Sequence, residues 1–169
     1  MIQRYKKSFL TIINNSYEVI EKTRIFTFNQ PFKSMNKIEH IGIAVNSLNK
    51  SVPLYELLLN TSCYKTELVA SEQVNTAFFK TGDNKVELLE ATDEDSAIAR
   101  FLEKKGEGIH HIAFAVDDIL AEMERLKANG FILLNETPKK GADNKMVCFV
   151  HPKQTNGVLI ELCQEIKWV

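Results

Sequence analysis

HIAFAVDDI (residues 111–119) repeats an earlier stretch, HIGIAVNSL (40–48). His, Ile, Ala and Val recur at 40/111, 41/112, 44/115 and 45/116. Working outward from each copy gives the same order of elements. IEHIGIAV (38–45) is an apolar, β-branched run and reads as a strand. SLNKSVPLYELLLN (47–60) reads as a helix, with Ser47 as its cap and Leu54, Leu57 and Leu58 at helical spacing. CYKTELV (63–69), VNTAFFK (74–80) and KVELLEA (85–91) read as strands, the last two joined by the turn TGDN. SAIARFLEKKG (96–106) is a linking helix stopped by Gly106. The order then restarts with the strand IHHIAFAV (109–116) and the helix DDILAEMERLKANG (117–130). FILLNE, KMVCFVH and GVLIELCQ come next as three more strands. Each half is βαβββ, and a repeat of this size implies two modules related by a pseudo-twofold. The expected fold is therefore α+β, built from two tandem βαβββ modules at about 38–91 and 109–165.

A second residue type repeats with the histidine. KVELLE carries Glu87 and VLIELCQ carries Glu161, so the His-to-Glu spacing is 47 residues (40 to 87) and 50 (111 to 161). Alternation along a strand puts His40 on one face with Gly42 and Ala44, and His111 with Ala113 and Ala115. The opposite faces carry Ile41, Ile43 and Val45, or Ile112, Phe114 and Val116, and are suited to pack under a helix. A histidine followed by small residues marks the rim of a cavity. Two such faces meeting would bring together His40, Glu87, His111 and Glu161, a donor set for a divalent metal such as Co, Zn, Mn or Ni. A single strand histidine is ordinarily a packed core residue; four residues repeating in register weigh against that. His110 alternates away from His111 and reads as structural. His151, before Pro152, reads as a turn residue, Glu90 as exposed, and Lys139 and Lys140 as a solvated turn able to meet an anion.

The chain has 169 residues, 44% hydrophobic and 25% charged, with a net charge of −1. No global field attracts nucleic acid or an anionic membrane, and no apolar run is long enough to span one. Cys63, Cys148 and Cys163 lack CxxC spacing and read as core thiols of a reducing, cytoplasmic setting. Residues 1–34, rich in Lys, Arg, Asn and Phe, differ in character from residues 35–169 and are expected to be an N-terminal extension, disordered or preceding a native start at Met35. Glu18 and Glu21 argue against a transit peptide there. Residues 35–169 form the expected domain.

HIGIAV, KVELLEATDEDSAIARFLEKKGEGIHHIAFAVDDI, KKGADNKMVCFVHPK and GVLIELCQ together resemble the vicinal oxygen chelate superfamily, and within it the methylmalonyl-CoA epimerase family. The resemblance spans residues 38–165. It implies metal ligands at His40, Glu87, His111 and Glu161, an acyl-CoA substrate and a homodimer. It implies an isomerase that interconverts (R)- and (S)-methylmalonyl-CoA through an enolate. Such chemistry needs a carboxylate on each face of the flat intermediate. Glu161 is the candidate on one side. The family's second carboxylate falls near Thr76, which cannot be a base, and Glu72 just upstream is the substitute. Lys139, Lys140 and Lys145 are candidates for the CoA phosphates, and Gly42, Ala44, Ala113 and Ala115 would leave room for the acyl group. The rivals are a lactoylglutathione lyase on the same scaffold and a metal-free binding member of the same fold. An extradiol dioxygenase would need only two histidines and one carboxylate.

Overall fold

The computed structural model describes residues 9–13, 16–21, 24–28 and 35–167. The chain divides into two units, residues 1–34 and 35–169. In the first, strands β1 (Phe9–Ile13), β2 (Ser16–Glu21) and β3 (Arg24–Phe28) pair antiparallel in the order β1-β2-β3. The sequence pattern predicts no strand in this stretch.

The second unit runs β4 (Lys37–Ala44), α1 (Leu48–Leu59), β5 (Lys65–Val69), β6 (Val74–Thr81) and β7 (Asn84–Ala91). After α2 (Ala97–Lys105) come β8 (Gly108–Ala115), α3 (Ile119–Ala128), β9 (Lys139–Lys140), β10 (Lys145–Val150) and β11 (Leu159–Glu165). One eight-stranded sheet holds all of these strands, in the order β5-β6-β7-β4-β8-β11-β10-β9. The two modules join at its centre, where β4 and β8 run antiparallel. Each central strand pairs in parallel with the last strand of its own module, β4 with β7 and β8 with β11. Residues near both ends of the order, Phe78 on β6 and Phe149 on β10, line one pocket, so the sheet curls around its inner face.

Helices cover the outer face. Under α1 lie Val45, Ala77, Phe79 and Leu88; under α3 lie Cys148, Val150 and Leu162. The helix–sheet packing expected for Ile43 and Val45 is present, but the buried side of α1 is not the expected one. Leu48, Val52, Tyr55 and Leu59 face the sheet, whereas Leu54, Leu57 and Leu58 are exposed. Both sets recur at helical spacing, and tertiary packing chose between them. Ser47 occupies the cap position without a side-chain cap bond; Ser96 and Asp118 do cap α2 and α3, accepting from Ala99 N and Ala121 N. α2 closes one end of the inner face, where Ile98 packs with Ala44, Val74 and Leu89.

FILLNE does not form the expected strand. Leu133 makes one bridge to Val150, and pairing resumes only at Lys139. Asn135 Oδ1 takes the Phe149 N–H in place of a backbone carbonyl, and Pro138 has no N–H to give.

The central pairing contains two irregularities. Ile38 opposes Phe114 and His40 opposes Ala113, so Glu39 is an extra residue in β4. Gly42 opposes His111 and Ile43 opposes Ile109, so His110 is an extra residue in β8. The pseudo-twofold thus extends to a bulge immediately before each histidine.

Candidate metal centre

The register brings the four repeated residues together. Gly42 is paired with both Glu87 and His111, and Ala113 with both His40 and Glu161. Side chains from the four central strands therefore point to one spot on the inner face. His40 Nε2 is 2.9 Å from His111 Nε2, 3.2 Å from Glu87 Oε2 and 3.8 Å from Glu161 Oε2. His111 Nε2 is 3.1 Å from Glu161 Oε2 and 3.6 Å from Glu87 Oε2. All four residues are buried, at 4–5% exposure.

The donor set fits a divalent ion. Donor atoms of His40, His111 and Glu161 lie within 4.8 Å of one another. Ligands about 2.0–2.2 Å from a shared ion stand roughly 3 Å apart, which is the separation of the histidine nitrogens and their nearest carboxylate oxygens. Two carboxylates balance the charge of a dication, and mixed N and O donors suit ions of borderline hardness.

The electrostatics of the four groups are tightly linked. Burial opposes a charge on His40, but the carboxylates of Glu39 and Glu87 outweigh it and raise the imidazole to about 10. Burial, helped by the facing His40, holds His111 well below its usual value. Burial pushes the Glu161 carboxyl up to about 7 against the pull of His40. Glu161 Oε1 accepts from Cys163 Sγ at 2.9 Å, which leaves Oε2 toward the histidines.

Two residues of this site are not predicted by the sequence pattern. Glu39 is 8% exposed, and its Oε2 accepts from His40 Nδ1. Burial works against its charge, yet bonds from His40 and Lys85 hold its carboxyl at about 2. His110, expected on the opposite face, lines the pocket with its Nδ1 3.0 Å from His111 Nδ1. Strict alternation fails at both because each is a bulge residue. The legible signal is the pairing of polar residues in EH and HH at equivalent places of the repeat.

The small residues also play another part than expected. A Cβ on Gly42 would overlap the ring of His111, Ala44 packs against Ile98, and Ala113 packs with Val147 and Cys163. None of them lines the pocket; Gly141, Ala142 and Ala97 do.

Glu72 and Thr76 both line the pocket. Thr76 is 1% exposed and its hydroxyl donates to Glu67 O at 3.2 Å. Glu72 Oε1 is 2.5 Å from Lys139 Nζ, an ion pair that joins the two modules. Lys139 also sits 5.6 Å over the Phe149 ring. Lys145 is buried and paired with Glu165 and Glu39, so it is not a free phosphate contact; Lys140 is exposed. His151 behaves as a turn residue, its Nδ1 accepting from Lys153 N at 3.1 Å. Glu90 is half-buried on the outer side. Among the described residues no helix is long and apolar enough to cross a membrane.

A family model for the Glyoxalase/Bleomycin resistance protein/Dioxygenase superfamily matches residues 39–149. An uncharacterized protein of Bacillus subtilis is 42% identical over 130 residues, 77% of this chain and 93% of that protein. The human mitochondrial methylmalonyl-CoA epimerase is 38% identical over 132 residues, 78% of this chain and 75% of the human one. A Streptomyces coelicolor methylmalonyl-CoA epimerase, solved in complex with 2-nitronate-propionyl-CoA, superposes with a TM-score of 0.76 at 36% identity, covering 78% of this chain and 96% of that one. With its paired modules and inner-face His and Glu residues, the chain belongs to the glyoxalase/bleomycin resistance protein/dioxygenase superfamily and, within it, to the methylmalonyl-CoA epimerase family.

Proposed function

We infer that this protein interconverts (R)- and (S)-methylmalonyl-CoA by removing the C2 proton from one face and returning a proton to the other. One observation carries the reading: each of two imidazole nitrogens lies within 3.8 Å of the same two carboxylate oxygens, in a buried pocket. Kinship to epimerases of that substrate names the reaction such a centre serves.

His40, Glu87, His111 and Glu161 would hold the ion, with Co, Zn, Mn and Ni as candidates. When bound, a divalent ion supplies Lewis acidity toward the thioester and carboxylate oxygens of the substrate. We assign proton transfer to Glu161 on one face and Glu72 on the other. As the C2–H bond breaks, its electron pair stays with the acyl fragment and one carboxylate takes the proton. The opposite carboxyl then delivers a proton to C2. Thr76 is left out because its hydroxyl is committed to Glu67 O. Phe78, Phe149 and Val147 keep water from the reacting carbon. Lys140, exposed and free of the Glu72 pairing that holds Lys139, is our candidate for the CoA phosphates.

All these residues come from 35–169, which we propose as the complete catalytic unit, with 1–34 an extension to it. We also expect a homodimer, as the resemblance implies. Three free thiols suit the reducing cytoplasm, where we place the protein.

The deciding experiment incubates the protein, a divalent metal and one C2 epimer in D2O. Metal-dependent deuteration with loss of chirality at C2 is the expected result. A metal-bound protein that leaves C2 untouched while acting on a glutathione hemithioacetal would replace this reading with the lyase.

A further inference from the structure

Two residues stand directly behind the paired histidines. Glu39 and His110 are the extra residues of the two central bulges, so each turns to the same side as the histidine that follows it. Glu39 Oε2 meets His40 Nδ1, while its Oε1 is 2.5 Å from Lys85 Nζ and 3.6 Å from Lys145 Nζ. Lys85 Nζ is also 2.6 Å from Asp143 Oδ2, which anchors this carboxylate to the loop over the pocket. Behind His111 the partner is a ring, with the two Nδ1 atoms 3.0 Å apart.

A neutral imidazole has one proton for two nitrogens. A histidine that offers its Nε2 lone pair to a cation carries that proton on Nδ1. Glu39 can accept it from His40. At the other histidine, two Nδ1 atoms 3.0 Å apart form a hydrogen bond only if one is bare. His111 already holds its proton there, so His110 must accept and keep its own proton on Nε2.

We propose that Glu39 and His110 are paired positioning residues, each fixing the tautomer and ring orientation of the histidine after it, with His110 held as the Nε2–H tautomer. The inference rests on the metal reading above. It makes the two histidines unequal in spite of the repeat. An anionic acceptor raises the basicity of His40 as a ligand; a neutral ring does so less for His111.

Two-bond nitrogen–proton NMR spectra of the full, zinc-loaded chain read the three tautomers directly. Nδ1–H at His40 and His111 with Nε2–H at His110 is expected; His110 protonated on Nδ1 overturns the pairing. In chelator competition, E39A should lose about 10–100-fold in zinc affinity. E39Q should lose less, E39D should recover most of the loss, and H110A should lose less than E39A. Affinity in E39A within about twofold of the parent overturns the role of Glu39. If E39A fails to fold, the tautomers of the unaltered chain still decide. Failure to bind zinc at all removes the metal reading and this inference together, whereas zinc bound with other tautomers removes the inference alone.

Discussion

The two modules agree at the centre of the sheet and part company at its edges. β4 and β8 have eight residues each, the same histidine and a bulge at the same place. At the rims, β5 has five residues and its counterpart β9 only two. A central strand that slipped by one residue would turn its histidine from the pocket to the outer face. An edge strand carries no such penalty, so FILLNE has shrunk to one bridge, with a two-residue strand only beyond it at Lys139–Lys140, without disturbing the site. Register is kept where chemistry depends on it.

The largest effects should fall on both halves. His40→Ala and His111→Ala are each expected to lower bound metal and epimerisation together, by more than about 100-fold. Metal analysis beside an exchange assay checks this, and full activity in either metal-stripped variant would remove the metal centre from the reaction. The glutamates should behave differently. Glu161→Gln is expected to lose about 100-fold or more in kcat while keeping much of its metal, because its amide oxygen can still ligate but cannot take a proton. Glu87→Gln should lose far less turnover, and equal losses would remove the distinct role given to Glu161. Glu72→Gln tests the other face: kcat should drop about 100-fold with metal content unchanged. A smaller pair concerns the small residues. Gly42→Ala should cost about 1–3 kcal/mol and weaken metal binding by displacing the His111 ring, whereas Ala113→Gly should cost only about 0.5–1 kcal/mol. Thermal melts of both separate them. Smallest of all, Thr76→Val should cost about 1 kcal/mol and leave turnover alone; a collapse in rate would reopen the identity of the second base.

Much of the fold and site is legible in the sequence because the decisive pattern is local and occurs twice. HIGIAV and HIAFAV are apolar runs whose alternation needs no partner to be read, and KVELLE and VLIELC recur at nearly the same distance. The features that escape such a reading depend on two strands at once. A bulge belongs to a pairing, so neither Glu39 nor His110 can be assigned a side from its own strand. The buried face of α1 differs from expectation because its sequence offers two apolar sets, and only the sheet beneath it selects Val52 and Tyr55 over Leu54 and Leu58. The edge strand fails for a chemical reason, the Asn135 side chain and Pro138 interrupting the ladder.

The ring of His111 rests where Gly42 has no side chain. That clearance is one-sided, since the position facing His40 is Ala113. A half-length chain made of the first module and paired with a second copy of itself would set a histidine over a glycine on both sides. The same pairing of two second modules would set a histidine opposite an alanine on both sides, the arrangement that His40 and Ala113 already share. As parents of a symmetric pair the two halves would differ in this clearance: only the first would give both rings the room that His111 alone has here.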